Sequence, residues 1–406
     1  MILQMKMLKR IICIFALLAS LDAALTDCQN AHAGQGPFSS LFIIQIRASR
    51  LNNLFEVPIS KIRALRFVDG KFEPIPFQID LRNKKGDYLF PGDKGWGRIN
   101  LRSWDELVIQ GHDLGKEAGE EQRSKLGQGL ALKVIKNGQI GYAYVGVFDF
   151  PKCERDYVSF RPVTQTIQTP RYSLSGHLHN PSYYATVEIG GVDHVDRAKM
   201  RAKASLFFGK INLERNEEDI IGVHDSVVDG QVRLLRRMHY WVNITKSVRS
   251  PSLTRVTKSY MAVNDLPNNL SVPFNLDYVF SDLQGIAAFD FSPKIKGAKI
   301  YCDKCGDGFE INGKMDSFET AHTGLGSRTF SVCSDYGSMI MAVRVTGATN
   351  ELPIKTQGVF SDDESQLDPP EDIPGKMGMF GYELTNLHKI PKGRYNFHVY
   401  LMFPEN

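Results

Sequence analysis

This 406-residue chain carries none of the short motifs that mark a common chemistry. It has no G-x-S-x-G elbow, no H-E-x-x-H helix, no P-loop and no dinucleotide fingerprint, so the enzyme classes built on those motifs are set aside. Charge of one sign is missing too. Lys+Arg 49 against Asp+Glu 45 leaves +4. The basic residues are dispersed, apart from Arg233, Arg236 and Arg237. Such a chain has no electrostatic footprint for nucleic acid. Long amphipathic helical patterns are absent, and a parallel doubly wound sheet needs crossover helices. There is no fixed-period repeat and no long low-complexity run.

Long apolar runs are scarce. The one at the amino terminus, Ile11 to Leu21, is broken by Asp22, and a spanning helix needs about 20 apolar residues. Lys6, Lys9 and Arg10 precede it, and Ala31-His32-Ala33 then Gly34 follow. A basic n-region, a short h-region and an A-x-A site predict a signal peptide over 1–33. Asp27 before Cys28 does not fit a lipobox. The predicted leader holds three basic and two acidic residues, so removing it takes +4 to +3. The expectation is an exported protein of the periplasm or the cell exterior, with no transmembrane segment after cleavage.

Cysteine is sparse. Cys153, Cys302, Cys305 and Cys333 remain beyond the leader. In an oxidising compartment an even number predicts up to two disulfides, with three pairings open. Gly306 stands where a c-type haem site needs histidine. A zinc site lacks a second close pair, and a redox Cys-x-x-Cys belongs in a βαβ setting.

What is present reads as strands and turns. Gly 35 and aromatic 10% suit that class. Leu41–Arg47, Glu56–Ile59, Arg66–Val68, Phe72–Ile79 and Glu106–Gln110 are strand candidates. Leu130 to Phe150, with Asn137-Gly138 at its centre, is the clearest hairpin signal. Arg161 to Pro181 contains three prolines and reads as a linker between β units. Tyr183–Ile189, Lys203–Leu213, Val232–Val242, Val256–Val263, Leu276–Phe280, Ile286–Phe291, Met339–Val345 and Arg394–Phe403 continue the pattern. Asn312-Gly313 is a second hairpin signal, and Asp193–Ala204 the one short helical signal. In the last strand Tyr395, Phe397, Val399 and Leu401 share a face, with His398 and Tyr400 on the other. The predicted fold class is an antiparallel β-sandwich, as two stacked units or one supersandwich, divided 34–160 and 182–406 around a 161–181 linker.

Four constellations are candidate sites. Trp104, Asp105 and Glu106 with His112 and Asp113 combine carboxylates, a histidine and a ring, as acid–base chemistry or sugar stacking requires. Arg233, Arg237 and His239 share a strand face, and arginine suits bidentate pairing with the carboxylates of an acidic sugar. Asp362, Asp363, Glu364 and Asp368 are hard oxygen donors suited to calcium, although without EF-hand spacing. His177 and His179 would share a strand face and suit a metal. For each, a turn, a salt-bridged sheet face or a solvated loop explains the same residues.

The segments Pro76-Phe77-Gln78-Ile79-Asp80, Asp105-Glu106-Leu107-Val108, Asp113-Leu114-Gly115, Gly378-Met379-Phe380-Gly381-Tyr382 and Lys392-Gly393-Arg394-Tyr395 together resemble a group of exported bacterial β proteins. The C-terminal half is loosely similar to the large sandwich of galactose-mutarotase-like and polysaccharide-lyase domains. The resemblance implies a fold and transfers no catalytic residue. The leading expectation is a non-catalytic exported protein that binds a glycan or an envelope protein and needs no cofactor. A structural part of a surface assembly and a lyase or epimerase are the alternatives.

Overall fold

The computed structural model describes residues 38–405, apart from 178–179, 207, 244–248, 251, 273–274, 279, 303–307, 325, 327–328 and 348–352. The expected leader, His179 and Cys305 lie outside the described residues. The first strands are β1 (Ile43–Arg47), β2 (Ile62–Val68), β3 (Lys71–Pro74), β4 (Gln78–Asp80), β5 (Glu106–Gln110), β6 (Gly129–Lys136) and β7 (Gln139–Val147). They form a three-stranded sheet, β1-β5-β4, and a four-stranded sheet, β3-β2-β7-β6. Leu54, Ile62, Leu107, Ile109 and Val145 fill the space between them. The β6–β7 hairpin turns at Asn137 and Gly138, both at positive φ (49° and 77°). That is the geometry a type I′ turn requires and Asn-Gly supplies.

The rest is a larger sandwich. Strands β8 (Ser159–Arg161), β9 (Thr166–Gln168), β10 (Ser173–His177), β11 (Asn180–Ile189) and β12 (Val192–Asp193) make one five-stranded sheet. The next strands in the chain are β13 (Val195–Leu206), β14 (Ile211–Arg215), β15 (Ile220–Asp229), β16 (Arg233–Val242), β17 (Leu253–Tyr260), β18 (Val263–Val272) and β19 (Phe280–Phe291). They are followed by β20 (Lys299–Cys302), β21 (Phe309–Glu310), β22 (Thr329–Ser334), β23 (Gly337–Thr346), β24 (Lys355–Asp363), β25 (Lys376–Thr385) and β26 (Gly393–Met402). A second five-stranded sheet runs β14-β13-β19-β25-β24, and a nine-stranded sheet runs β15-β16-β17-β18-β26-β23-β22-β20-β21. All the described pairings are antiparallel. Leu174 and Val187 from the first, Phe289 and Phe380 from the second, and Leu234, Ile300, Phe330 and Leu401 from the third meet in one core. The two α-helices among the described residues, α1 (Glu120–Ser124) and α2 (Ser317–His322), are short. No helix among the described residues is long and apolar enough to cross a membrane.

The two sandwiches stack. Every residue of β5 is buried because both its faces are covered. Leu107 and Ile109 face the four-stranded sheet. Val108 faces the other way, onto Val232, Tyr260, Val263, Ile340 and Met402 of the nine-stranded sheet and the turn before it. Burying one such apolar side chain contributes about 1.5–3 kcal/mol. The three-stranded sheet therefore caps part of the outer face of the nine-stranded sheet and leaves the remainder open.

Several local expectations change. Arg161–Pro181 is not a linker: it holds most of β8–β10, whose Ile167 and Leu174 are fully buried. Its strands are only three to five residues long, too short for a period-two pattern to register between prolines. Asp193–Ala204 holds the end of β12 and most of β13 rather than a helix. Ala198 and Met200 face the core, while Arg197, Lys199 and Arg201 face carboxylates on the other side. Glu56–Ile59 is a turn entered at Glu56 with φ 65°. Asn312-Gly313 does not join two strands. Its backbone N–H groups donate to Asp362 (2.7 and 2.9 Å).

Candidate functional site

Beside the cap, the outer face of the nine-stranded sheet carries polar side chains from five adjacent strands: Arg344 is exposed, Arg237, His239, Lys258 and His398 are half-buried, and Asp265 is buried. Residues directly opposite in an antiparallel pair share a face. Arg237 and His239 on β16 lie opposite Val256 and Thr254. Lys258 on β17 lies opposite Asp265 on β18, Asp265 opposite Tyr400 on β26, and His398 opposite Arg344 on β23. At sheet spacing this stripe is about 19 Å wide.

Its first cluster is built by a bulge. The β15–β16 register slips between His224 and Ser226, and the extra residue is Asp225. A bulge re-aims the side chain at the slip. Here it brings the Asp225 carboxylate to Arg237, and within 3.7 Å of His239 Nε2. Arg237 also donates to Asp93 (2.7 Å) and lies 4.6 Å over the Phe90 ring. The Arg237 hydrogen bond holds the Asp93 carboxyl below its usual range. His239 Nδ1 bonds the Thr254 hydroxyl at 3.0 Å. Asp93 sits in the turn that carries Trp96, which is 38% exposed. Beside it lies a cavity of about 360 Å³ lined by Ile79, Leu81, Leu89, Trp96, Arg98 and Ile99.

The second cluster centres on Asp265. Its two oxygens meet His398 Nδ1 at 2.8 Å and Lys258 Nζ at 3.2 Å. Burial alone would raise the Asp265 pKa, but the His398 bond and the Lys258 charge outweigh it and hold it low. An ionised carboxylate only accepts, so the proton of a neutral His398 must sit on Nδ1, leaving Nε2 as an acceptor. The Tyr400 ring stacks on His398 at 5.5 Å. Burial, with Asp265 nearby, pushes the Tyr400 hydroxyl up to about 12.

Arg233 lies on the same sheet face but beneath the three-stranded cap. Its side chain is wholly buried against Asp80 and Glu106, with the hydroxyls of Tyr260 and Tyr88 at 3.0 and 3.2 Å. Burial would raise Glu106, but Arg233 and Arg82 more than offset it and keep its pKa low. Gln78 accepts the backbone N–H groups of Val232 and Arg233 (3.2 and 2.9 Å). A Cβ on Gly230 would stand 2.2 Å from that Gln78 side chain, so the Asp229-Gly230 turn requires glycine for this close approach. Arg233 and Glu106 thus join the two sandwiches and are closed to a ligand. The strand pattern placed Arg233 on the correct face; the covering sheet was not visible in that pattern.

The other sequence candidates fall elsewhere. Asp105 accepts from the backbone of Arg82 and Arg102 and pairs with Arg98. Trp104 stands beside Lys84 and Arg98 at the rim. His112 follows the far end of β5 and bonds Tyr157 (3.1 Å), so it does not join Glu106. Burial lowers its pKa. His177 stacks on Tyr183. The four acidic residues proposed for calcium do not converge. Asp362 accepts three backbone N–H groups, Asp363 binds Ser365, Glu364 pairs with Lys296, and Asp368 pairs with Arg201. Among the described residues no group of three or more His, Cys, Asp or Glu is placed to hold a metal ion. Its carboxylates suit calcium in type, but backbone and cationic partners consume their oxygens. Asp362→Ala, which strands three buried donors, is expected to cost about 2–3 kcal/mol in urea unfolding, and a loss near zero would contradict the buried placement. Cys153 carries a free thiol, which removes it from the expected disulfides. Cys302 is disulfide-bonded.

Asp93, Asp225, Lys258, Asp265 and Arg344 were not singled out from sequence. The face shared by Arg237 and His239 and the alternation of His398 and Tyr400 in the last strand were the visible signals. The fold and this face define an all-β sandwich protein with a polar, charge-balanced sheet surface. A scan of protein-family models finds no match to the chain, and a search of curated proteins finds none either.

Proposed function

We propose that this protein binds a neutral glycan across the open face of the nine-stranded sheet, and that it does so after export to the periplasm or cell exterior. The observation that carries the reading is the stripe of pre-positioned donors and acceptors from Arg237 to Arg344. Two of its three cations are already matched by carboxylates, Arg237 by Asp93 and Asp225 and Lys258 by Asp265. Such a face offers hydrogen bonds to hydroxyl groups and little net attraction for an acidic sugar. This replaces the acidic-sugar expectation drawn from Arg233, Arg237 and His239. Trp96 and its cavity add a stacking edge beside the same turn. The leader pattern at 1–33 supports export.

The test is a polysaccharide and oligosaccharide binding screen by calorimetry on the chain lacking residues 1–33. Binding is expected to be insensitive to moderate salt and to weaken at least tenfold, about 1.4 kcal/mol, in Arg237→Ala and in His398→Ala. Loss of every saccharide from the screen, or binding indifferent to both changes, would sink the proposal. A second reading, a lyase or epimerase, is favoured by one observation: the Asp265–His398 pair leaves Nε2 available as a base. It requires turnover of a bound saccharide that His398→Gln abolishes while binding persists.

A further inference from the structure

Arg233 and Arg236 point to opposite faces of β16, and both are buried. Arg233 meets two carboxylates. Arg236 faces the large core, and no carboxylate among the described residues pairs with it. Its Nε and Nη1 are buried with no hydrogen-bond partner. Its guanidinium lies 5.9 Å over the Tyr184 ring of β11. The cross-strand neighbour is Thr257, fully buried, whose hydroxyl also lacks a partner. On β15 the bulge keeps His224 on this inner face, opposite Met238. Its ring stacks on Phe160 and its Nε2 is again buried without a partner. Arg255 adds a second positive charge that Arg236 senses.

Arginine does not shed its proton in proteins. A buried charge without a partner is costly enough that proteins pair it. Water can bond the guanidinium but cannot cancel its charge. The three side chains converging here supply N–H and O–H donors, which suit an acceptor carrying negative charge.

We propose that Arg236, Thr257 and His224 form a buried binding site for a small monovalent anion of halide size, held between the nine-stranded sheet and the β8–β12 sheet. The anion neutralises the guanidinium and receives the hydroxyl and imidazole donors, locking β11 and β8 against β15–β17. One unmatched guanidinium at the centre matches a single negative charge. The class is set by donor chemistry and burial alone and is independent of the glycan reading.

The probe is bromide, with chloride as competitor, on the whole chain. Bromide soaked into crystals is expected to give an anomalous peak within hydrogen-bonding distance of the Arg236 guanidinium, and chloride is expected to displace it. In solution at constant ionic strength, thermal stability should rise saturably with chloride in the wild type and lose that dependence in Arg236→Met. If that variant does not fold, the bromide peak in the wild type still decides. A map with water or nothing at Arg236, or chloride dependence unchanged in Arg236→Met, overturns the proposal. Halide seen only at surface sites has the same consequence.

Discussion

Arg233→Met is expected to cost about 3–5 kcal/mol of folding free energy at neutral pH. The side chain is wholly buried and holds Asp80 and Glu106 together at the seam between the two sandwiches. Methionine fills much of the volume but leaves two buried carboxylates without their cation. Arg82 still reaches Glu106 at 2.9 Å, so Asp80 bears most of the loss. Its remaining donor, Gln78 Nε2 at 2.6 Å, is neutral. The deficit should shrink as pH falls, because protonating the orphaned carboxylates removes the buried charge. Denaturant unfolding of both proteins at neutral and acidic pH measures this directly. A cost below about 1 kcal/mol, the value of an exposed pair, would mean the seam is open to water.

Asp290 carries the second large effect. It lies on β19, fully buried, with Met377 N–H donating to Oδ1 at 3.2 Å and Lys199 Nζ 3.6 Å from Oδ2. Burial pushes its carboxyl up to about 7, against the pull of Lys199; Asp196 and Glu371 push the same way. A folded pKa above the unfolded value of about 3.9 means the folded state binds the extra proton between the two. The stability from this group is complete below about pH 4 and is lost as pH rises through 7. The full excursion is about 4 kcal/mol at one unit per 1.36 kcal/mol. Glu319, also pushed up to about 7 by burial, adds a slope of the same sign. The difference between wild type and Asp290→Asn isolates the Asp290 share. The variant should match the wild type most closely in acid and gain on it steadily from about pH 4 to above 7. Parallel stability curves would place Asp290 in a solvated setting and refute its burial.

Several features were legible because their cause is local. The Asn137-Gly138 hairpin follows from two positive φ values, and the face shared by Arg233, Arg237 and His239 follows from strand alternation. The period-two pattern of the last strand marked it as a strand, and β26 lies between β18 and β23. Alternation likewise separated His398 from Val399. What escaped notice depended on partners remote in the chain. Asp225 acts through a bulge in register against β16, and Asp265 through strands β17 and β26. Asp362 resembled a free metal donor until backbone groups from Asn312, Gly313 and Gly378 occupied it. Arg197 and Lys199, within the segment that carried the one short helical signal, lie on a strand and are buried beside acids.

The sequence by itself determined an all-β chain, its main strands and turns, and the alternation that sends each side chain to one face or the other. Those properties arise from steric limits on φ and from the two-residue period of a strand, which act within a few residues. Only the tertiary structure decided which faces are covered. Stacking of the three-stranded sheet on the nine-stranded one turned Arg233 into a seam, left Arg237, Lys258 and His398 half-buried and Asp265 buried on the same sheet face beside it, and enclosed Arg236 without a carboxylate. Coverage depends on contacts between residues far apart in the chain, such as Gln78 and Arg233, 155 positions apart, and Gln45 and Tyr260, 215 apart, and no local pattern encodes which sheet will lie over which.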